Sequence, residues 1–195
     1  MADERQAQAA GPGEASRVML RPLTSGDEDE FVDLVRASAS LHGPWMSLPS
    51  TPEAFRVYVR RYERPGEESL LVCVRGTGAI AGLVNINSII RGRFQSGSLA
   101  YAAFAPTAGQ GYMTEGLGLA VRYAFEELRL HRLEANIQPG NRASLGLVQR
   151  LGFRCEGYSP DMLFIDGAWR DHERWAITAT MAGIAVEPHP SLPVR

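Results

Sequence analysis

Hydrophobic residues follow two different periods in the first third of the chain. A short apolar run at residues 18–22 predicts a strand. After it, apolar residues recur every three or four positions in two segments, which predicts two amphipathic helices. They are Phe31, Leu34, Val35 and Leu41 in the first segment, and Phe55, Tyr58, Val59 and Tyr62 in the second. Residues 25–28 have the spacing of a capping box, and Thr51-Pro52 is typical of a helix start.

Strands dominate the middle of the chain. Apolar runs at residues 69–75 and 79–87 flank Gly76-Thr77-Gly78, a pattern typical of a β-hairpin, and a third run covers residues 98–104. These three runs predict neighbouring strands that lead into the glycine-rich segment Gly109-Gln110-Gly111.

Helical and alternating patterns then follow each other to the end of the chain. They predict a helix from about Met113 to Leu130, a strand at 132–137, a helix from Asn141 to Leu151, and a final pair of strands. The paired strands, at 153–158 and 172–181, are joined around Asp166-Gly167. The order predicts an α/β (α+β) domain with a mixed, mostly antiparallel sheet flanked by helices.

Length and charge narrow the class of protein. The 195 residues suffice for one domain, which we place at residues 17–182 between a disordered tail at 1–16 and a second tail at 183–195. A net charge of -2 gives no general attraction to nucleic acid or an anionic membrane. The chain shows neither a membrane-spanning run nor an apolar secretory signal, so we expect a cytoplasmic protein.

Cysteine and histidine residues indicate neither a disulfide framework nor a metal site. Cys73 and Cys155 both lie in apolar, strand-like segments, which favours two buried and reduced thiols. The four histidines, His42, His131, His172 and His189, lack the spacing of metal ligands.

The first candidate for chemistry is the turn at Gly109 and Gly111. Glycine lets backbone amides approach a ligand closely, and the free amides of the helix that follows suit a phosphate or diphosphate. Thr114 offers a hydroxyl nearby. The Walker and GxGxxG patterns are absent, so on these residues alone a merely tight turn remains an equal alternative.

A second motif lies about thirty residues further along the chain. Asn141 is placed to cap a helix, and Ser144 lies one turn into it, before Leu151-Gly152-Phe153 ends the element. The pair is equally consistent with a simple cap and a surface hydroxyl.

Taken together, these motifs resemble the GNAT superfamily of acetyl-CoA-dependent N-acetyltransferases, in its RimJ/RimL-like branch. The resemblance covers residues 17–182 and rests on the glycine turn, on the 131–135 strand, on Asn141 to Ser144 with Leu151 to Phe153, and on Trp169-Arg170-Asp171-His172. It implies the GNAT-type acyl-CoA N-acyltransferase fold, with acetyl-CoA as cosubstrate and no metal.

The resemblance also implies site residues. The diphosphate of coenzyme A would lie on the loop Gly109, Gln110, Gly111, Tyr112, Met113 and Thr114, and Asn141 and Ser144 would complete the cofactor site. Pantetheine would pair with backbone near Ala103, Phe104 and Ala105, and Ser144 would protonate the departing thiolate. Three positions depart from the family pattern: Ala108, Met113 and Ser98.

The sequence determines the amine that accepts the acetyl group less well than it determines the acetyl donor. A peptide α-amine, with a pKa of about 8, is roughly one tenth neutral at pH 7, whereas lysine is neutral about two hundred times less often. We therefore expect a protein N-terminus as acceptor, with a small amine, polyamine or antibiotic as the alternative. Candidate bases are Glu156, Asp161 and His42, and candidate pocket residues are Trp45 and Tyr158, although Trp45 fits ordinary packing equally well.

Two further alternatives remain open from the sequence. Ala108 and Ser98, where the family pattern is missing, leave room for a non-catalytic acyl-CoA sensor instead of an enzyme. Arg91 and Arg93 form a basic connection that suits an acidic acceptor or a solvated hairpin tip, and the assembly is a monomer or a homodimer.

Overall fold

The computed structural model describes residues 16–186, and within this range the chain forms one seven-stranded sheet in the order β1-β2-β3-β4-β5-β7-β6. The strands are β1 (Val18–Pro22), β2 (Glu68–Val74), β3 (Ile80–Ile90), β4 (Ser96–Ala103), β5 (Arg132–Ile137), β6 (Arg154–Ile165) and β7 (Ala168–Thr178). The helices are α1 (Glu28–Ala37), α2 (Ala39–His42), α3 (Pro52–Tyr62), α4 (Tyr112–Glu126) and α5 (Arg142–Arg150).

Among these strands, β4 and β5 run parallel, and every other neighbouring pair is antiparallel. Both predicted hairpins form: β2 pairs with β3, and β6 pairs with β7 across Asp166-Gly167. Helix α4 connects β4 to β5, as a parallel pair requires a crossover. The mixed, mostly antiparallel sheet predicted from the sequence is confirmed.

Two apolar clusters cover the two faces of the sheet. On one face, α4 and α5 pack through Leu117, Phe125 and Leu145 against residues such as Leu133 of β5. On the other face, Phe31 of α1 and Phe55 of α3 pack against the sheet, with ring centroids 5.2 Å apart. Burying a large apolar side chain contributes about 1.5–3 kcal/mol, so the amphipathic faces explain why both helices dock.

Helix starts follow the sequence in two cases and shift in one. The Oγ1 of Thr51 accepts from the N–H of Ala54 at 3.2 Å, and the Oδ1 of Asn141 accepts from the N–H of Ser144 at 3.1 Å. The capping box near residue 25 begins one residue earlier than predicted, because Thr24 pairs with the carboxylate of Asp27. Arg21 of β1 fixes that carboxylate with two hydrogen bonds, of 2.6 and 3.0 Å, and this contact is invisible to local spacing.

Cys155 corrects a prediction. Cys73 is buried as expected, but Cys155 is exposed, because β6 is the edge strand and carries a register shift at Cys155. Helix α4 also ends at Glu126, four residues before the predicted end at Leu130.

The predicted tails lie mostly outside the described residues, which exclude 1–15 and 187–195. At the end of the described range, Ile184 and Val186 pack against the α4 side of the sheet, and the N–H of Ile184 donates to Ala179 at 2.9 Å. Within the described range, every helix is too short or too polar to cross a membrane.

Candidate active site

The sheet opens where β4 and β5 separate. Their pairing ends at Leu99 opposite Ala135, although β4 continues to Ala103 and β5 to Ile137. We call this opening the fork. It leads into a cavity of about 640 Å³, bordered by β4, β5, the starts of α4 and α5, α2 with its following loop, and the β6–β7 hairpin.

The direction of the β4 amides decides which backbone groups face the fork. The N–H of Phe104 donates to Ala81 of the neighbouring β3 region at 3.0 Å. Because successive residues of a strand point their amides to opposite sides, Tyr101 and Ala103 direct theirs towards the fork. The N–H of Ala105 donates to the Oγ of Ser38 at 2.8 Å. The structure therefore uses the amides of Phe104 and Ala105 elsewhere, and neither residue lines the cavity.

The glycine turn opens directly into α4. Gly109 and Gly111 adopt φ values of 78° and 83°, a left-handed conformation that favours glycine, and Gly111 is the residue before the helix. The first-turn amides of any helix lack partners within the helix and carry its positive dipole end. Of the predicted loop residues, all but Gln110 line the cavity: Gly109, Gly111, Tyr112, Met113 and Thr114.

Arg17 braces this turn from outside the cavity. Its Nη2 donates to the carbonyl of Gln110 at 3.1 Å, its Nε donates to Glu115 at 2.6 Å, and its guanidinium lies 4.9 Å from the ring centre of Tyr112. Burial alone raises the pKa of Glu115, but the hydrogen bonds from Arg17 outweigh it and lower that pKa. Local spacing gave no signal for Arg17, which lies far from the turn in sequence.

Met113, one departure from the family pattern, has its own compensation in the fold. An added Cβ on Gly82 of β3 would lie 2.2 Å from the Sδ of Met113. The missing side chain at Gly82 therefore makes room for the longer residue, while Met113 keeps its place in the first turn of α4.

Ser144 lies beside a residue that the sequence analysis missed. The hydroxyls of Ser144 and Tyr101 are 2.6 Å apart, and both residues line the cavity. Burial raises the pKa of Tyr101 to about 12, although the bond to Ser144 acts in the opposite direction. Tyr101 thus stays protonated at neutral pH.

The loop after α2 forms the opposite wall. Trp45 lines the cavity, and its ring lies 3.2 Å from where a Cβ on Gly140 would be. The Nε2 of Gln138 donates to the carbonyl of Pro44 at 3.2 Å. Trp45 is therefore part of the cavity wall. Tyr158 instead is 53% exposed, hydrogen-bonds to Asp171, and lies outside the cavity lining.

Of the three candidate bases, His42 lines the cavity, whereas Glu156 and Asp161 do not. Glu156 binds Arg132 at 3.1 Å, and the amide of Asp161 donates to Asp171 at 2.9 Å; neither residue lines the cavity. His42 does line it, with its Nε2 2.8 Å from the carbonyl of Ala103. Within residues 16–186, the cavity lining includes no Asp or Glu, and its histidines are His42 and His172.

The described residues also include no cluster of three or more His, Cys, Asp or Glu that could hold a metal ion.

Comparison with known proteins identifies the family. Residues 17–154 match the family model described as acetyltransferase (GNAT) domain, so the chain belongs to this family. The family and the fold predicted from the sequence are confirmed, and acetyl-CoA is the acetyl donor that GNAT acetyltransferases use.

Three relatives carry N-acetyltransferase names. The [ribosomal protein uS5]-alanine N-acetyltransferase of Escherichia coli is 42% identical over 99 residues, which are 51% of this chain and 51% of the relative. The chain thus aligns with about half the length of that protein. The probable N-acetyltransferase YjcK of Bacillus subtilis is 36% identical and aligns over 82% of this chain and 93% of its own. The spermidine N(1)-acetyltransferase of Escherichia coli is 28% identical and aligns over 84% of this chain and 87% of its own length.

Solved structures agree on the architecture. Mycobacterium smegmatis RimJ, in complex with CoA-disulfide, is 26% identical and superposes with a TM-score of 0.77 over 84% of this chain and 82% of its own.

Proposed function

We propose that this protein transfers an acetyl group from acetyl-CoA directly to an amine, and that the acceptor is the N-terminal α-amine of a protein. The observation that carries the proposal is the position of the fork. It opens between β4, whose amides at Tyr101 and Ala103 face the cavity, and β5, and it meets the glycine turn at the start of α4. An extended ligand with an anionic end fits both features.

Coenzyme A fits this arrangement in one direction. Its diphosphate lies at Gly109 to Thr114, against first-turn amides of α4. Pantetheine runs along β4 and pairs with the amides of Tyr101 and Ala103. Of the backbone expected from the sequence, at Ala103, Phe104 and Ala105, only Ala103 takes part. The thioester then reaches the fork, beside Ser144.

The chemistry needs few groups. A neutral amine attacks the thioester carbonyl, whose developing oxyanion accepts a hydrogen bond from a β4 amide. When the intermediate collapses, the thiolate leaves with a proton from the hydroxyl of Ser144. With Tyr101 as the donor of their 2.6 Å hydrogen bond, the Ser144 oxygen is stabilised as it gives up its proton. The amine proton released at attack balances the one that appears on sulfur.

The cavity wall favours an α-amine over a polyamine. Buried cationic groups require compensating charges, and a polyamine carries several of them. The cavity lining within residues 16–186 contains no carboxylate, but it does contain Arg142 and Arg150. A peptide α-amine, about one tenth neutral near pH 7, meets a smaller barrier there.

The spermidine acetyltransferase relative keeps a polyamine as the second candidate acceptor. A non-catalytic acyl-CoA sensor is a further candidate function, and the departures from the family pattern at Ala108 and Ser98 support it. It loses support from the hydroxyl pair of Ser144 and Tyr101 at the fork.

A turnover screen tests the proposal. Free CoA thiol is measured with acetyl-CoA and a panel of alanyl peptides, spermidine and free lysine, with calorimetric binding of acetyl-CoA recorded in parallel. We expect binding, and release of thiol with the alanyl peptides above all. Binding without turnover on any amine indicates the sensor, and turnover with spermidine alone indicates the polyamine enzyme.

A further inference from the structure

His172 of β7 holds one ring nitrogen in a fixed state. Its Nδ1 lies 2.9 Å from the carbonyl oxygen of Arg170, which can only accept a hydrogen bond. Nδ1 therefore carries the proton in the neutral ring, and the lone pair is on Nε2. The side chain is 2% exposed and lines the cavity, and no residue in the described range 16–186 hydrogen-bonds to Nε2.

Asn136 presents a second acceptor at the same place. It is the first residue of β5 after Ala135, where pairing with β4 ends, so it lies at the fork. Its Oδ1 is fully buried and, among the described residues, has no hydrogen-bond partner, although a buried amide oxygen normally has one. Asn136 also lines the cavity.

The register of β5 and β7 brings the two acceptors together. Asn136 pairs with Arg174, and His172 lies two residues from Arg174 on the same face of the sheet. Such diagonal neighbours are about 7–8 Å apart, a separation that long side chains bridge. An amine nitrogen held between the two side chains would donate one hydrogen bond to Asn136 and another to His172.

We infer that Asn136 and His172 bind the acceptor amine at the fork, and that Nε2 of His172 takes its proton. The inference rests on the proposed acetyl transfer and names the amine subsite of that reaction. Asn136 orients the amine towards the thioester, and His172 is the catalytic base.

The other histidine of the cavity fits this role less well. His42 contacts Ala103, which lies four residues and about 13 Å along β4 from Leu99, where the pairing with β5 ends. Because its Nε2 donates to that carbonyl, its lone pair is on Nδ1, the nitrogen beside its own backbone. The lone pair of His172 is on the distal nitrogen instead.

Protons balance through the reaction. An ammonium R–NH3+ gives one proton to Nε2 of His172, which passes it to solvent, and the neutral amine attacks the carbonyl carbon. The new C–N bond forms and the C–S bond breaks. The amine nitrogen loses its second proton to solvent, Ser144 gives its proton to the sulfur and is reprotonated from solvent, and the products are the acetamide and CoA thiol.

The test compares two amines on His172→Gln, with His42→Gln as the matched variant. One amine is a short alanyl peptide, which is mostly protonated at neutral pH, and the other is trifluoroethylamine, which is mostly neutral. We expect kcat/KM of His172→Gln to fall about tenfold for the peptide, of which about one tenth is neutral at pH 7, and less than about twofold for trifluoroethylamine. Calorimetry with acetyl-CoA verifies that the variant is folded.

Equal losses on both amines mean a packing role and overturn the inference, as does a peptide-selective loss in His42→Gln alone. If His172→Gln no longer binds acetyl-CoA, the Asn136→Ala variant tests the amine subsite instead. We expect the KM for the peptide to rise about five- to tenfold, with the KM for acetyl-CoA unchanged; an unchanged peptide KM overturns the inference. A wild-type protein that acetylates neither amine disproves the proposed function itself.

Discussion

The hydroxyl of Tyr101 on β4 lies 2.6 Å from the hydroxyl of Ser144 in the first turn of α5. Because burial holds the pKa of Tyr101 at about 12, its hydroxyl keeps its proton and can act as the donor. The Ser144 oxygen then accepts that bond, and its own proton is free to point into the cavity. A strand and a helix that are distant in sequence thus supply one hydrogen-bonded donor.

Tyr101→Phe removes this donor and little volume. We expect kcat to fall about five- to tenfold, because one hydrogen bond is worth about 1 kcal/mol. Acetyl-CoA affinity measured by calorimetry should stay within about twofold, since the backbone of β4 is unchanged. A loss of affinity as large as the loss of kcat would show that Tyr101 acts on binding.

Ser144→Ala removes the proposed acid itself. General acid catalysis contributes about 100-fold or more, so kcat should fall by about that factor while acetyl-CoA binding persists. Adding Tyr101→Phe should then cost little more, because coupled residues are not additive. Independent, multiplying effects in the double variant would disprove that Tyr101 acts through Ser144, and full turnover in Ser144→Ala would rule out its role as the acid.

Gly111→Ala tests the turn. At a φ of 83°, a Cβ costs about 1–2 kcal/mol, and here it also lies 3.1 Å from Nη2 of Arg17. We expect a lower unfolding midpoint in urea and weaker acetyl-CoA binding in calorimetry. Gly76→Ala is the control, because a Cβ at Gly76 meets nothing within 4 Å. Unaltered binding in Gly111→Ala would argue against the turn as the diphosphate site.

Gly82→Ala tests the room given to Met113. The new Cβ would lie 2.5 Å from the carbonyl oxygen of Ala102 and 2.2 Å from the Met113 sulfur. We expect a loss of about 2–3 kcal/mol in the free energy of unfolding, measured in urea. Combining Gly82→Ala with Met113→Ala should restore only part of the lost free energy of unfolding, because the backbone oxygen of Ala102 stays in place. Full restoration would show that Met113 alone is responsible.

Asp27 makes stability depend on pH. Burial raises its pKa, but bonds from Arg21 and from the backbone of Thr24 outweigh burial and lower it below the ordinary value. The unfolded chain therefore binds the proton more readily, so the contribution is present above about pH 4 and is lost as the pH falls through the lowered pKa. The free energy of unfolding of Asp27→Asn, measured in urea, should be about 1–3 kcal/mol lower than that of the wild type at neutral pH. It should also depend less on pH in the acid range.

The control for this pH effect is Asp33→Asn. Asp33 is 80% exposed and pairs with Arg36 only at 3.6 Å, so we expect no measurable change in the unfolding free energy. An equally steep acid loss in wild type and Asp27→Asn would assign the effect to other carboxylates.

Local pattern was enough to predict most of the fold. Helix α3 begins where Thr51-Pro52 predicts, α5 begins after Asn141, and the β6–β7 turn lies at Asp166-Gly167. Period, capping residues and glycine act over a few residues, so a single chain read in order reveals them. Cys155 shows the limit of this approach, because an apolar neighbourhood in sequence does not reveal an edge strand.

The sequence by itself determined the strands and helices of the mixed sheet and the glycine turn, since these depend on neighbours within a turn or two, and the resemblance to the GNAT superfamily made Ser144 a candidate. Only the tertiary structure decided that Tyr101 lies beside Ser144, that Asn136 and His172 line the same cavity, and that Arg17 supports the glycine turn from outside that cavity. The reason is physical. Strand register and burial set these contacts between residues far apart along the chain, and they are fixed only when the whole sheet forms.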